Sequence, residues 1–360
     1  LDKQLTFLGG IIMKQYPWIR MAAVTVISTL LASGCSMLGT KEHSQPIDPP
    51  PTGAASVPIQ PVTAKVVQSQ NLSPITIYSR DANGFIAPIS IQAEKSIEVA
   101  KVALESMVDG GAASKSLPSG FTALIPKGTT IKGINIVKDQ KLAVVDFSKA
   151  FTDYNQLDER KILEAIVWTL TGFPSVDKVQ LRVEGKTLKE MPQGGTPLDE
   201  PLTRAMGINL EKPEGVEYGQ STPVTLYFLG QNKDNYNYYI PVTRMVKRTD
   251  NLAKAVVEQL IIGPDGKQGL SAVMTPGTEL KQVNKANDLI TVDFSDKVLG
   301  PDKKAPGNAL RAVVLSLTEN TGSATKVQIT VNGDAKVSSS DNLSYTKPVS
   351  RPSEVNPSKL

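Results

Sequence analysis

Leu142-Ala143-Val144-Val145-Asp146-Phe147-Ser148 recurs as Leu289-Ile290-Thr291-Val292-Asp293-Phe294-Ser295, with five of seven residues identical. Both stretches alternate as a strand does: Ala143, Val145 and Phe147 fall on one face, and Leu142, Val144 and Asp146 on the other. Other blocks repeat around them in the same order. Residues 74–78 match 223–227, 100–105 match 253–258, and 125–129 match 274–278. After the strand, 165–171 match 312–318 and 178–181 match 326–329. The offsets run from 147 to 153 residues, well above the roughly 20–50 of solenoid repeats, so one globular domain is present twice.

Each copy predicts the order β-β-α-β-β-α-β. A β-branched strand opens it (75–79 and 224–229), and Asp81-Ala82-Asn83-Gly84 marks a hairpin turn. Ile97, Ala100, Leu104, Met107 and Val108 form one helical stripe that Gly110-Gly111 stops. Its twin carries Leu252, Val256 and Leu260 before Gly263-Pro264. Two strands follow, then a helix over about 158–171, apolar at Ile162, Ala165, Ile166, Thr169 and Leu170, then a last strand at 178–183. The expected class is α+β: two tandem small mixed-sheet domains, each with two helices packed on one face. The boundaries read as 73–187 and 222–338. Residues 188–221, rich in Pro and Gly, are predicted to be an interdomain linker, and the polar residues 339–360 a disordered tail.

The N-terminal region reads as an address. Lys14 and Arg20 precede an apolar run from Met21 to Ala32, and Leu31-Ala32-Ser33-Gly34-Cys35 follows. A basic start, a short apolar core and small residues before a cleavage point define a signal peptide over 13–34. The run is too short to span a bilayer comfortably. Its end resembles a bacterial lipobox, with Ala32 where Leu is more usual, which makes Cys35 the expected lipidation site. Lipid there, diacylglycerol with palmitate, would anchor the mature chain, since two or more acyl chains suffice. Leu1 to Ile12 lies upstream of a complete signal peptide and is read as a product of start-codon choice at Met13. Residues 35–72, with Pro46, Pro49, Pro50, Pro51, Pro58 and Pro61, are predicted to be a disordered tether that lifts the body off the membrane.

Composition excludes several chemistries. The 360 residues hold one Cys and one His, too few for a His/Cys zinc cluster or a disulfide. His43 lies in the Pro-rich stretch, a poor place for a Ser–His–Asp geometry. Cleavage before Cys35 removes Lys3, Lys14, Arg20 and Asp2, leaving 36 basic against 34 acidic residues. That balance gives no electrostatic case for nucleic acid.

A lipobox, a Pro-rich tether and two domains with a Val-Asp-Phe-Ser strand resemble the GerMN-domain family of sporulation and spore germination lipoproteins. The resemblance covers about residues 35–337. It implies a non-enzymatic role at the mother-cell membrane, facing the space between mother cell and forespore. The implied partners are envelope proteins of a trans-envelope sporulation complex. It also implies a topology similar to the ring-building modules of secretion machines.

Asp146 and Asp293 are the carboxylates most open to a catalytic reading. Paired, they would suggest acid/base hydrolysis of peptidoglycan, which needs carboxyls roughly 5–10 Å apart. Alternatively each fixes a backbone turn next to Ser148 or Ser295, as in an Asx turn; the latter is favoured because each Asp has the same place in its own domain. Tyr227, Phe228, Tyr236, Tyr238 and Tyr239 suggest either a recognition surface or a half-buried strand stripe, again with the second favoured. Trp168 sits mid-helix where the other copy has Leu315, and reads as core or interdomain packing. Lys247-Arg248 reads as a solvated pair.

The expected protein is thus a non-catalytic, membrane-anchored envelope lipoprotein that acts as a scaffold or localisation factor, without cofactor, metal site or nucleic-acid partner. The alternative is a peptidoglycan-binding or cortex-hydrolysing cell-wall protein. Weak self-association through exposed strand edges is a third expectation.

Overall fold

The computed structural model describes residues 72–96, 98–211, 219–266, 269–323 and 325–357. The signal peptide, Cys35, His43, the tether apart from Leu72, and Ile97 lie outside the described residues. Among the described residues, no helix is long and apolar enough to cross a membrane.

The first repeat opens with β1 (Leu72–Asp81) and β2 (Ile86–Glu94), an antiparallel hairpin. Asp81 closes its turn: Oδ1 accepts the N–H groups of Asn83 at 2.9 Å and Phe85 at 2.8 Å, while Gly84 takes a φ of 87°. Helix α1 (Val99–Glu105) follows, then the two-residue β3 (Phe121–Thr122), which pairs with the end of β1. Next come β4 (Ile131–Val137), β5 (Leu142–Phe147), α2 (Glu159–Leu170), β6 (Lys178–Val183) and the short β7 (Lys186–Thr187). Strands β4 and β5 are antiparallel; β5 and β6 are parallel, with α2 as the crossover between them.

The second repeat follows the same plan. Strands β8 (Ser221–Gln231) and β9 (Asn237–Lys247) form its hairpin, closed by Asn232 instead of Asp81. Helix α3 (Leu252–Ile262), β10 (Leu280–Ala286), β11 (Leu289–Phe294), α4 (Gly307–Thr321) and β12 (Lys326–Val331) complete it. The registers agree: Leu142 pairs with Lys178 and Leu289 with Lys326. The class is α+β and the predicted element order holds in both halves. Within each repeat the strands divide between a hairpin and a separate mixed sheet.

Helix α2 is buried on every side from Ile162 to Leu170, beyond the stripe its periodicity suggests. The hairpin strand β1 covers one face and β6 another, so Leu163, Val167 and Trp168 are enclosed as well. Pro174 cannot continue a helix and restricts the residue before it, and α2 stops at Leu170. The equivalent α4 meets no proline and runs on to Thr321, where Gly322 at φ 107° ends it.

Two expectations fail. Residues 339–357 are not a disordered tail, and 188–211 are not a free linker. Each is the C-terminal part of its repeat. Leu202 exchanges both backbone bonds with Val179 on β6 at 2.8 Å, and Val349 does the same with Val327 on β12 at 2.8 and 2.9 Å. Their polar composition hid the few apolar anchors, Ile208, Tyr345 and Val355, which are buried. Nor are the repeats separate beads. The described residues from Leu72 onward form one compact unit with a continuous apolar core.

Candidate functional site at the junction of the repeats

The two terminal segments cross over. The arm of the first repeat lies along β9 of the second: Thr243 donates its N–H to the Ile208 carbonyl at 2.8 Å, and Glu211 donates to the Thr243 carbonyl at 3.0 Å. The arm of the second repeat lies along β2 of the first, where Ser90 donates to the Asn356 carbonyl at 3.1 Å. An asparagine clips each crossing. Asn209 accepts from the Ile86 N–H at 2.8 Å and donates to the carbonyls of Ile86 and Pro241, both at 2.7 Å. Asn356 accepts from the Tyr239 N–H and donates to the carbonyls of Tyr239 and Pro88, all at 2.8 Å. The hairpin registers pair Tyr78 with Pro88 and Tyr227 with Pro241, so the two clips are equivalent by an approximate two-fold. Asn209 adopts φ 46°, which asparagine tolerates better than most residues.

Charges sit in the same junction. Glu211, on the first arm, pairs with Arg244 on β9 at 2.6 Å, both buried. Closer to the two-fold, Arg204 and Arg351 converge on Glu319 of α4. Arg204 Nη1 donates to Oε1 at 2.6 Å, and Arg351 Nη2 donates to Oε2 at 2.8 Å. The Tyr227 hydroxyl adds a third donor at 2.8 Å. Burial alone would raise the Glu319 carboxyl; Arg204, Arg351 and the Tyr227 hydroxyl outweigh it and hold it below the ordinary carboxylate value. Each arginine also bonds the long helix of its own repeat. Arg204 donates to the Trp168 carbonyl and Thr171 hydroxyl, and Arg351 to the Leu315 carbonyl and Thr318 hydroxyl. The Arg204 guanidinium lies 4.4 Å above the Trp168 ring. These side chains floor an open cleft of about 620 Å³, walled by Tyr78 and Pro352 among others.

The carboxylates singled out in the sequence lie elsewhere. Asp146 Oδ1 accepts the Gly185 N–H at 2.9 Å, and Asp293 Oδ1 accepts the Gly333 N–H at 2.8 Å. Each staples the turn after the neighbouring parallel strand, where Glu184-Gly185 and Asn332-Gly333 both have positive φ. Each carboxylate holds a backbone turn, but not the Asx turn expected beside Ser148 or Ser295. The turn they hold is the one after β6 or β12, not the one after their own strand. Nothing in these bonds joins Asp146 to Asp293. Tyr238 and Tyr239 are buried at the junction, with the Tyr238 hydroxyl on Asp81 Oδ2 at 2.8 Å. Trp168 packs in the core and donates its indole N–H to the Gly207 carbonyl at 3.2 Å. Lys247 and Arg248 are exposed.

Arg204, Asn209, Arg351 and Asn356 escaped the sequence reading. Their signal is a seventh repeated block: Pro201-Leu202-Thr203-Arg204 with Ile208-Asn209, against Pro348-Val349-Ser350-Arg351 with Val355-Asn356. It sits among prolines and polar residues, which read as linker and tail.

The Germane family, described as sporulation and spore germination, matches residues 76–189 and 225–337. The chain is similar to the spore germination protein GerM of Bacillus subtilis (strain 168), at 36% identity over 93% of this chain and 97% of that one. It is also similar to the solved structure of the tandem GerMN domains of the sporulation protein GerM from Bacillus subtilis. That match has a TM-score of 0.74 and 36% identity, and covers 80% of this chain and 100% of the other. The chain belongs to the Germane family of sporulation and spore germination proteins, with two GerMN domains in tandem.

Proposed function

We propose that the protein acts in sporulation and spore germination as a membrane-anchored, non-catalytic scaffold or localisation factor for a protein complex of the envelope. Lipid on Cys35 holds one end, the Pro-rich segment sets the reach, and the paired repeats present two like surfaces at a fixed angle. The exchange of arms clipped by Asn209 and Asn356 carries this reading. A body locked in this way holds its two surfaces in register, so that a second contact gains from high effective concentration. The use of Asp146 and Asp293 as turn staples supports the non-catalytic half of the proposal.

A crosslinked pull-down from sporulating cells tests it, with Cys35→Ala as the unanchored control. The expected result is recovery of specific envelope proteins with the wild type and their loss from Cys35→Ala. Release of muropeptides by the wild-type protein, abolished in an Asp146→Asn, Asp293→Asn double variant, would overturn the scaffold in favour of a cortex-hydrolysing protein.

A further inference from the structure

We infer that the cleft between the repeats binds a peptide carboxylate beside Arg204. The approximate two-fold makes Arg204 and Arg351 equivalent, yet one carboxylate, Glu319, serves both. The residue of the first repeat equivalent to Glu319 is Gly172, just beyond the end of α2, which follows the block 165–171 as Glu319 follows 312–318. Symmetry would place a second carboxylate there, and the first repeat leaves it out. A Cβ added at Gly172 would lie 4.0 Å from Arg204 Nη2, so this is the place from which a side chain would reach that guanidinium.

The charge count points the same way. Lys141 and Asp177 also line the cleft and pair with each other at 3.2 Å, so they cancel. Arg204 and Arg351 against Glu319 leave one positive charge unmatched. Both oxygens of Glu319 are already engaged, so it cannot turn to neutralise the remainder. The Arg204 side chain keeps 28% of its surface exposed, which makes it the accessible member. A guanidinium matches a planar carboxylate with two parallel donors. A cleft of this volume at a domain junction, with aromatic and proline walls, has the form of a small-ligand or peptide-end site. The inference stands on the cleft alone and does not depend on the scaffold reading.

The test uses the full-length protein in detergent, carrying Trp18→Phe so that Trp168 is the single emitter. N-acetyl-Ala-Ala, its C-terminal amide and inorganic phosphate are titrated in turn. The free acid is expected to give a saturable change in emission, with half-saturation at least tenfold lower than for the amide. Gly172→Glu, which supplies the missing carboxylate internally, should weaken the acid at least tenfold, while Gly172→Ala should stay within about threefold of the parent. Arg204→Gln, which leaves Gly172 in place, should also weaken it at least tenfold, and circular dichroism checks that each variant is folded. Equal response to acid and amide, no response to either, response to phosphate alone, undiminished binding in Arg204→Gln, or equal loss in both Gly172 variants would overturn the proposal.

Discussion

Asn209 and Asn356 bridge the same two strands, each holding the backbones of β2 and β9 with one side-chain amide. Six strong backbone groups at the junction therefore depend on two side chains. Asn356 is buried and Asn209 half-buried, so the two are not equally replaceable.

Replacing Asn356 with Ala leaves an N–H and two carbonyls without partners away from water. An unmatched buried polar group costs about 1–3 kcal/mol, so a loss of roughly 3 kcal/mol is expected. Asn209→Ala is expected to cost less, because solvent reaches that clip. Urea unfolding of the two single variants measures both, and equal or negligible losses would contradict the arm exchange.

Ending the chain after Val337 removes Tyr345, Val355 and Asn356 from their buried places and Arg351 from Glu319. The expected outcome is a lower Tm and a loss of at least about 3 kcal/mol. A dispensable tail would leave the thermal transition where it was.

Glu319→Gln leaves two guanidiniums facing each other without a countercharge. Breaking a buried pair costs about 3–5 kcal/mol; because both arginines border the open cleft, the lower end, about 3 kcal/mol, is expected. Chemical denaturation of the variant against the wild type gives the figure.

The same residue sets an acid response. Glu319 ionises in the folded protein below its ordinary value of 4.5, so between those two points the unfolded chain binds a proton that the folded one does not. Stability therefore rises with pH through that window and is lost as pH falls through the folded-state pKa. Glu164 works in the opposite sense, since burial raises its carboxyl against the pull of the Asn209 N–H and Arg160. Glu319→Gln should flatten the acid limb, read from urea midpoints over roughly pH 3 to 6. A slope unchanged from wild type would assign the acid response elsewhere.

Asp146→Asn with Asp293→Asn should leave the fold intact, because an amide oxygen can still accept the Gly185 and Gly333 N–H groups. A loss of about 1 kcal/mol per site is expected from weaker, uncharged acceptors, measured by thermal unfolding.

The repeated strand at Leu142 and Leu289 made the duplication readable, because alternation survives wherever one face is buried. The hairpin turn at Asp81 was readable for a similarly local reason: its side chain bonds its own turn. The junction was not. Arg204 and Arg351 act on helices, and Asn209 and Asn356 on strands, that lie well apart from them in sequence, as in the 268-residue separation of Pro88 and Asn356, and no periodicity marks such contacts. Glu319 stood in plain view on α4, but its meaning comes from the arginines brought to it by segments that looked like linker and tail. The apolar stripe of α2 marks one buried face only, because the second cover, the hairpin strand β1, comes from residues far outside the helix.

The crossing of the arms also fixes a timetable. Pro88 is made 268 residues before the asparagine that donates to its carbonyl, so during synthesis the earlier half waits with one strand uncovered until nearly the whole body has been completed. Any interruption of synthesis short of that point yields a particle whose sticky flank is open to neighbours.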